Sequence, residues 1–199
     1  MALMTVRPTR IDRALATFIA QETRPGIERV AEVATYAADE HVMFGIVAAV
    51  WLGSRFFGAP QRRAANYLVA NAAVSAMLPH LLKRAVDQQR PDRRVIGQRH
   101  GIPRSGKPYD AFPSGHAVHI GAIASALSRL YPRCRGIVWL TGTGIAATRV
   151  VLLAHWLTDV LAGLAMGTLI EKTIYRISVS AVSRRRHAAR PDTRTKPPS

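Results

Sequence analysis

In the run TRVVLLAHWLTD, His155 and Asp159 are four residues apart, so on a helix they are neighbours on one face. A carboxylate there can accept a hydrogen bond from one ring nitrogen, leaving the other with a lone pair free to attack an electrophile. A satisfied buried polar pair is the plainer alternative. Arg149 precedes His155 by six residues, about 120° away on a straight helix, so a bend between Leu153 and Trp156 is needed to bring both to one place. Upstream, Ala111–His116 reads AFPSGH. Pro113 suits a chain entering a helix, Ser114 is a favoured N-cap, and Gly115 lets an anion approach the backbone of the first turn. The free N–H groups and positive dipole end of such a helix suit phosphate, and His116 adds a group that can carry a proton near neutral pH. Taken alone, the same turn could be only a cap. Lys83 and Arg90 stand seven apart in KRAVDQQRP, nearly in phase on a helix that Pro91 ends. Together they can clamp a phosphate, the arginine in two-pronged fashion, or else anchor a helix end at a membrane rim.

These residues sit at the edges of apolar runs. Ile11–Gln21 carries Ile11, Leu15, Phe18 and Ile19 at helical spacing, which suits a helix lying on a membrane surface or an ordinary packing helix. Five longer runs follow: 38–57, Ala64–Leu82, His116–Leu130, Ile137–Ala154, and Trp156 to about Ile174. Their length and sparse charge predict about five transmembrane helices in an all-α bundle, with an N-terminal amphipathic surface helix. The expected organisation is an interfacial segment over 1–37, a membrane-embedded domain over 38–175 and a basic, Pro-rich disordered tail over 176–199. Arg84–Pro113 reads as a polar loop without apolar periodicity, long enough to be functional. Asp12 and Arg13 interrupt the N-terminal apolar stretch, so no cleaved signal is expected.

Composition narrows the function. A net charge of +16 over 199 residues suits an anionic substrate, a membrane surface or nucleic acid, but no nucleic-acid motif or aromatic ladder accompanies the basic residues. One cysteine, Cys134, excludes an internal disulfide and a cysteine-based metal cluster. If the five runs cross alternately, Arg55, Arg62, Arg63, Arg129, Arg133 and Arg135 share a side with the basic tail, which the positive-inside rule makes cytoplasmic. The long loop and His155 then face the extracytoplasmic side of the inner membrane. That loop carries Arg84, Arg90, Arg93, Arg94, Arg99, Arg104 and Lys107, numbers the rule does not explain unless several serve an anionic substrate.

Lys83 with six residues before Arg90-Pro91, then Pro113-Ser114-Gly115-His116, then Arg149 with five residues before His155 and three more before Asp159, is similar to the signature of the type-2 phosphatidic acid phosphatase superfamily. The resemblance covers Ala64 to Ile174; Thr148 departs from the usual serine but keeps a hydroxyl. It implies a phosphohistidine mechanism in which His155 attacks phosphorus, Asp159 orients its ring, and His116 protonates the leaving oxygen and later activates water. Lys83, Arg90, Arg149, the Ser114 hydroxyl and the Gly115 N–H would hold the phosphoryl oxygens, with no metal or other cofactor needed. His41, His80, His100 and His187 lack a partner at matching spacing and read as structural; His119, near the face of His116, reads as structural or supporting. The expected substrate is a lipid phosphate in the bilayer: phosphatidic acid, phosphatidylglycerol phosphate, a polyprenyl phosphate or diphosphate, or a polyprenyl-linked sugar phosphate. Three other readings compete: a lipid phosphotransferase using the same site, a vanadate-dependent haloperoxidase, which the apolar runs oppose, and a non-catalytic protein that binds anionic lipid.

Overall fold

The computed structural model describes residues 4–91 and 109–188, with side chains as far as Ser180. Helix α1 spans Arg10–Glu22 and begins with a capping box: the Thr9 hydroxyl accepts the Asp12 N–H, while the Asp12 carboxylate accepts the Thr9 N–H at 2.9 Å. Asp12 is also the tether to the rest of the fold. Its buried carboxylate takes the Thr158 N–H at 3.0 Å and the Thr158 hydroxyl at 2.8 Å. Of the apolar stripe on α1, Leu15 and Ile19 pack against the core, which is the packing role, whereas Ile11 and Phe18 are exposed. Burial opposes ionisation of Asp12, but the hydrogen bonds from Thr158 and Thr9 outweigh it and hold the pKa below its ordinary 3.8.

A depressed carboxylate pKa contributes stability above the unfolded value and loses it as pH falls through the folded one. Asp12→Ala is therefore expected to cost about 1–3 kcal/mol at neutral pH, since it leaves the Thr158 N–H without its acceptor. Thermal unfolding midpoints measure this, and the gap between wild type and variant should begin to narrow as pH falls below about 4 and shrink further through the lower folded pKa.

Helix α2, Pro25–Thr35, was not anticipated from its mildly apolar sequence. Pro25 in its first turn and the alternation of Glu28, Arg29 and Glu32 with Ile27, Ala31 and Val33 make it amphipathic. A 3₁₀ turn, Tyr36–Ala38, leads to Asp39, whose side chain caps α3, Glu40–Gly53, by accepting the His41 N–H. A second 3₁₀ turn, Ser54–Phe56, precedes α4, Ala59–Leu82. Then come α5, Gly115–Leu130; α6, Arg135–Val151; and α7, Leu157–Ala188.

Among the described residues no single helix is long and apolar enough to cross a membrane by itself. The bent pair Pro25–Ala38 and Glu40–Phe56, at 47°, passes the same length and composition test together. Helix α7 runs beyond the expected limit near Ile174 to Ala188, so the first part of the basic segment is helical; 189–199 lie outside the described residues. So do 92–108, with Arg93, Arg94, Arg99, His100, Arg104 and Lys107 of the long loop. The described ends of that loop are ordered by pairing. Two-residue strands β1, Met4–Thr5, and β2, Val86–Asp87, pair in parallel, and Gln88 bridges to Asp110, a small departure from the all-helical expectation.

Helix α5 is the central element, packed against α4, α6 and α7. Its inner face is built from small residues, with Ala117, Ala122 and Ala126 wholly buried. Its closest partner is α7, where Gly163 and Gly167 lie against the α5 backbone. A Cβ on Gly163 would stand 2.8 Å from both the Ser114 carbonyl oxygen and the Ala117 Cβ. A Cβ on Gly167 would stand 2.5 Å from the Ala122 nitrogen and overlap the Val118 carbonyl oxygen. This backbone contact sets the N-terminal ends of α5 and α7 side by side, and the Ser114 N–H donates to the Asp159 carbonyl across the gap at 3.3 Å.

Candidate active site

The turn between α6 and α7 supplies the bend that Arg149 and His155 require. The Leu152 N–H closes the last turn on Thr148, and Leu153 then adopts φ 51°, a left-handed backbone that few non-glycine residues take up. The Arg149 carbonyl accepts both the Ala154 N–H, at 3.0 Å, and the His155 N–H, at 3.2 Å. Arginine and histidine are thus joined through one oxygen atom despite their phase difference. Trp156 fixes the turn from the other side, its indole N–H donating to the Gln89 carbonyl at 2.7 Å.

The His155 ring does not rest on Asp159 in the way expected. Its Nδ1 is 2.7 Å from the Ala111 carbonyl oxygen, while the Asp159 carboxylate is 3.7 Å away. A carbonyl can only accept, so Nδ1 carries the proton and Nε2 the lone pair. The nearer Asp159 oxygen is occupied by the Trp156 N–H at 2.9 Å, the backbone half of a capping box at the start of α7. Asp159 therefore holds the turn that carries His155, with its charge a longer-range contribution. The carbonyl that does orient the ring is itself held: the Ala111 N–H donates to the Gln88 carbonyl and the Gln88 N–H to the Tyr109 carbonyl, both at 3.0 Å.

Arg90 is the second organiser. Its Nη2 donates to Asp110 at 2.8 Å, and its Nη1 donates to the Ala154 carbonyl at 2.9 Å and lies 3.4 Å from His155 Nε2. Lys83, the residue closing α4, stands 3.7 Å from the same Asp110 carboxylate. Burial lowers the Lys83 pKa, and Asp110 partly restores it. His155 is almost wholly buried; burial first, then the positive charges of Arg90, Arg149 and Lys83, hold its imidazole neutral, well below its usual pKa. Arg149 donates from Nη1 to the Thr35 hydroxyl at 3.2 Å, bringing the end of α2 to the site. The Arg149 Nε is buried with no hydrogen-bond partner, so donor capacity remains.

Six of the eight residues singled out in the sequence, Lys83, Arg90, Gly115, His116, Arg149 and His155, line one cavity of about 430 Å³. The other two lie behind its wall. Asp159 is fully buried, and Ser114, also fully buried, uses its hydroxyl to accept the Ala117 N–H at 3.5 Å, the capping role. A bond from Phe112 to Pro113 in the cis form turns the chain into this cap. His119 lines the cavity and is supported by the Ser75 hydroxyl at 3.1 Å. At the mouth, His80 meets Glu40 at 3.3 Å, a partner 40 residues away that spacing could not show. Asp110, the Ala111 carbonyl and Thr35 have no place in the sequence reading, and Asp110 is one of three acids, with Asp87 and Asp92, among the cations of the loop Arg84–Pro113. Among the described residues no three His, Cys, Asp or Glu side chains converge as a metal-binding group.

The chain and its fold are similar to known proteins. Residues 63–182 fit the family model described as the PAP2 superfamily. Over 103 residues the chain is 39% identical to the lipid A 1-phosphatases of Rhizobium etli and Rhizobium johnstonii, an alignment covering 51% of this chain and 44% and 42% of theirs. It thus spans less than half the length of these curated relatives. The fold is similar to the crystal structure of Aquifex aeolicus LpxE, with a TM-score of 0.70 at 18% identity over 87% of this chain and 99% of that one. It is also similar to a transmembrane PAP2-type phosphatidylglycerolphosphate phosphatase from Bacillus subtilis, with a TM-score of 0.62 at 17% identity over 85% of each chain.

Proposed function

The chain belongs to the PAP2 superfamily, and on that premise we propose that it is a membrane lipid phosphatase acting through a phosphohistidine intermediate. The observation that carries the proposal is the neutral His155 ring, proton on Nδ1 toward Ala111, with Nε2 beside Arg90 in a cavity lined by Lys83, Arg149 and His116. In the reaction, Nε2 attacks phosphorus and the bond from phosphorus to the lipid oxygen breaks. His116 gives its proton to that oxygen, releasing the lipid alcohol. Water, losing a proton to His116, then attacks the phosphohistidine, frees inorganic phosphate and restores Nε2. Lys83, Arg90, Arg149 and the Gly115 N–H, at the start of α5, hold the phosphoryl oxygens. Ser114 and Asp159 act from behind the wall by fixing the two helix starts. Loading the cavity with a phosphate dianion favours the charged form of His116, which suits its role as acid.

Membrane residence is supported by the apolar outer surface. Leu52, Phe56, Met77, Ile137, Leu140 and Leu169 all stand more than half exposed, a scale of exposed apolar surface that needs covering. The cavity lies at the ends of α4 and α5 away from Arg55, Arg62, Arg63, Arg133 and Arg135, which by the positive-inside rule supports an extracytoplasmic site. The substrate is a phosphate ester at the head of a lipid, and the named relatives add the 1-phosphate of a lipid A-type glycolipid to the phosphoglycerolipids and polyprenyl phosphates.

The test is phosphate release by detergent-purified full-length protein from that panel, with EDTA present throughout. Release from at least one lipid phosphate, undiminished by EDTA, is the expected result. No release from any member would overturn the phosphatase reading, and loss of release in EDTA would overturn its metal-free form.

A further inference from the structure

At the other end of the bundle, α5, α6 and α7 enclose a second polar cavity of about 330 Å³, lined by Ser125, Ser128, Arg129, Arg135, Trp139 and Lys172 among others. From His116 to Arg129 is thirteen residues of α5, about 20 Å of helix, so it is separate from the catalytic centre. Its charges divide into two kinds. Arg129 is committed: it pairs with the fully buried Glu171 through Nε and, at 3.1 Å, Nη2, and stacks 3.8 Å from the Tyr175 ring. Glu171 is further satisfied by Tyr67 and, at 2.9 Å, by the Ser125 hydroxyl. This network is charge-balanced and makes a rigid floor.

Arg135 and Lys172 are different. Both line the cavity, both are exposed, and neither has a hydrogen bond or ion pair among the described residues. No acidic side chain lines the cavity with them. The Ser128 hydroxyl is buried with no hydrogen-bond partner, an unusual condition for a helical serine, which ordinarily bonds the preceding turn. Two uncompensated cations, an unsatisfied hydroxyl and the Trp139 ring make a pocket that suits an anion joined to an apolar body. Repulsion between like charges disfavours two cations held in one pocket, and an anion between them relieves it.

We infer that this cavity is a second anion site, distinct from the catalytic one, and that it holds the phosphate-bearing headgroup of an anionic membrane lipid in the leaflet opposite the active site. The ligand's phosphate is held by Arg135 and Lys172, with the Trp139 ring against its apolar part. The site stabilises the end of the bundle where α5 turns into α6.

Full-length protein in phosphatidylcholine-containing micelles, titrated with phosphatidylglycerol in one arm and inorganic phosphate in the other, tests this through the thermal unfolding midpoint. Phosphatidylglycerol should raise the wild-type midpoint, and the Arg135→Gln/Lys172→Gln protein should need about tenfold more lipid, or beyond, for the same rise. Arg135→Lys, which keeps the charge, should respond like wild type. A rise with phosphatidylglycerol alone that depends on both cations identifies a lipid headgroup; the same dependence with inorganic phosphate supports the site with the free anion as its ligand. A double variant matching wild type in both arms, or a wild type insensitive to both, overturns the proposal. These midpoints are independent of phosphate release, so failure here and failure of the phosphatase reading are separate results.

Discussion

The His155→Ala protein is expected to release lipid phosphate at least about a thousandfold more slowly than wild type, because under the proposed mechanism it lacks the atom that bonds to phosphorus. The structural cost is small by comparison. Truncation loses the bond from Nδ1 to Ala111, about 1 kcal/mol, and opens a small void in a buried turn still held by the Arg149 carbonyl and by Asp159. A thousandfold rate loss corresponds to about 4 kcal/mol of transition-state stabilisation. The two effects are separable by unfolding midpoint and rate, and a folded, inactive alanine protein is the expected combination. The covalent intermediate gives a second readout. Wild type quenched during turnover of radiolabelled substrate should carry acid-labile, base-stable label of the kind a phosphorus–nitrogen bond confers, and the alanine protein should not. A labelled or fully active alanine protein would remove His155 from the chemistry.

Gly167→Ala is expected to be among the most damaging single-methyl additions in the chain. The added carbon would overlap the Val118 carbonyl oxygen and stand 2.5 Å from the Ala122 nitrogen, and both are helical backbone that cannot rotate aside. Relief requires α5 and α7 to separate, at a cost of about 3 kcal/mol or more. Function should fall with stability. Those helices carry His116 and Asp159, the latter at the end of the turn that holds His155, and a displacement of about 1 Å between catalytic groups can cost a hundredfold in rate. Gly144→Ala is the control: nothing lies within 4 Å of its added carbon, and alanine favours a helix over glycine, so that variant should be neutral or more stable. Thermal melts and kcat/KM on the three proteins decide the point. A Gly167→Ala protein as stable and active as wild type would mean that the contact between α5 and α7 is looser than described.

The sequence made legible those parts of the site that depend on spacing along one element. The Ser114 cap with Gly115 and His116, and the need for a bend after Arg149, follow from cap chemistry and helical phase. Lys83 and Arg90 do line one site, but not by the helical phase expected of them: α4 ends at Leu82, well before Pro91, and Arg90 follows the strand Val86–Asp87. What remained hidden depends on long-range contact. The Ala111 carbonyl has no side-chain signal at all, yet it accepts the Nδ1–H hydrogen bond that spacing alone assigns to Asp159. Asp110 was one acid among many loop cations, and Thr35 lies on a helix whose apolar stripe was too weak to announce it. The glycine contact was equally silent, since Gly163 and Gly167 gain meaning only when α5 is seen against them. In the other direction, Ser114 was credited with holding phosphate because its cap position and its hydroxyl were read together, and burial separates the two. Apolar runs marked the cores of α3 to α7 but not their ends: the left-handed Leu153 stops α6 early, and α7 continues as helix into the basic segment.

The doubly used Arg149 carbonyl gives the interval between Arg149 and His155 a meaning that composition alone does not have. One oxygen is the pivot from which both the phosphate clamp and the nucleophile are measured, so the segment behaves as a cassette of fixed length. Its interior side chains are mostly buried, Val150 and Leu153 in the core, so they exchange only for apolar residues of similar size that keep the left-handed step at Leu153. The count of five is not, because adding or removing a single residue would swing His155 out of register with Arg90 and Ala111 however well α6 and α7 still packed.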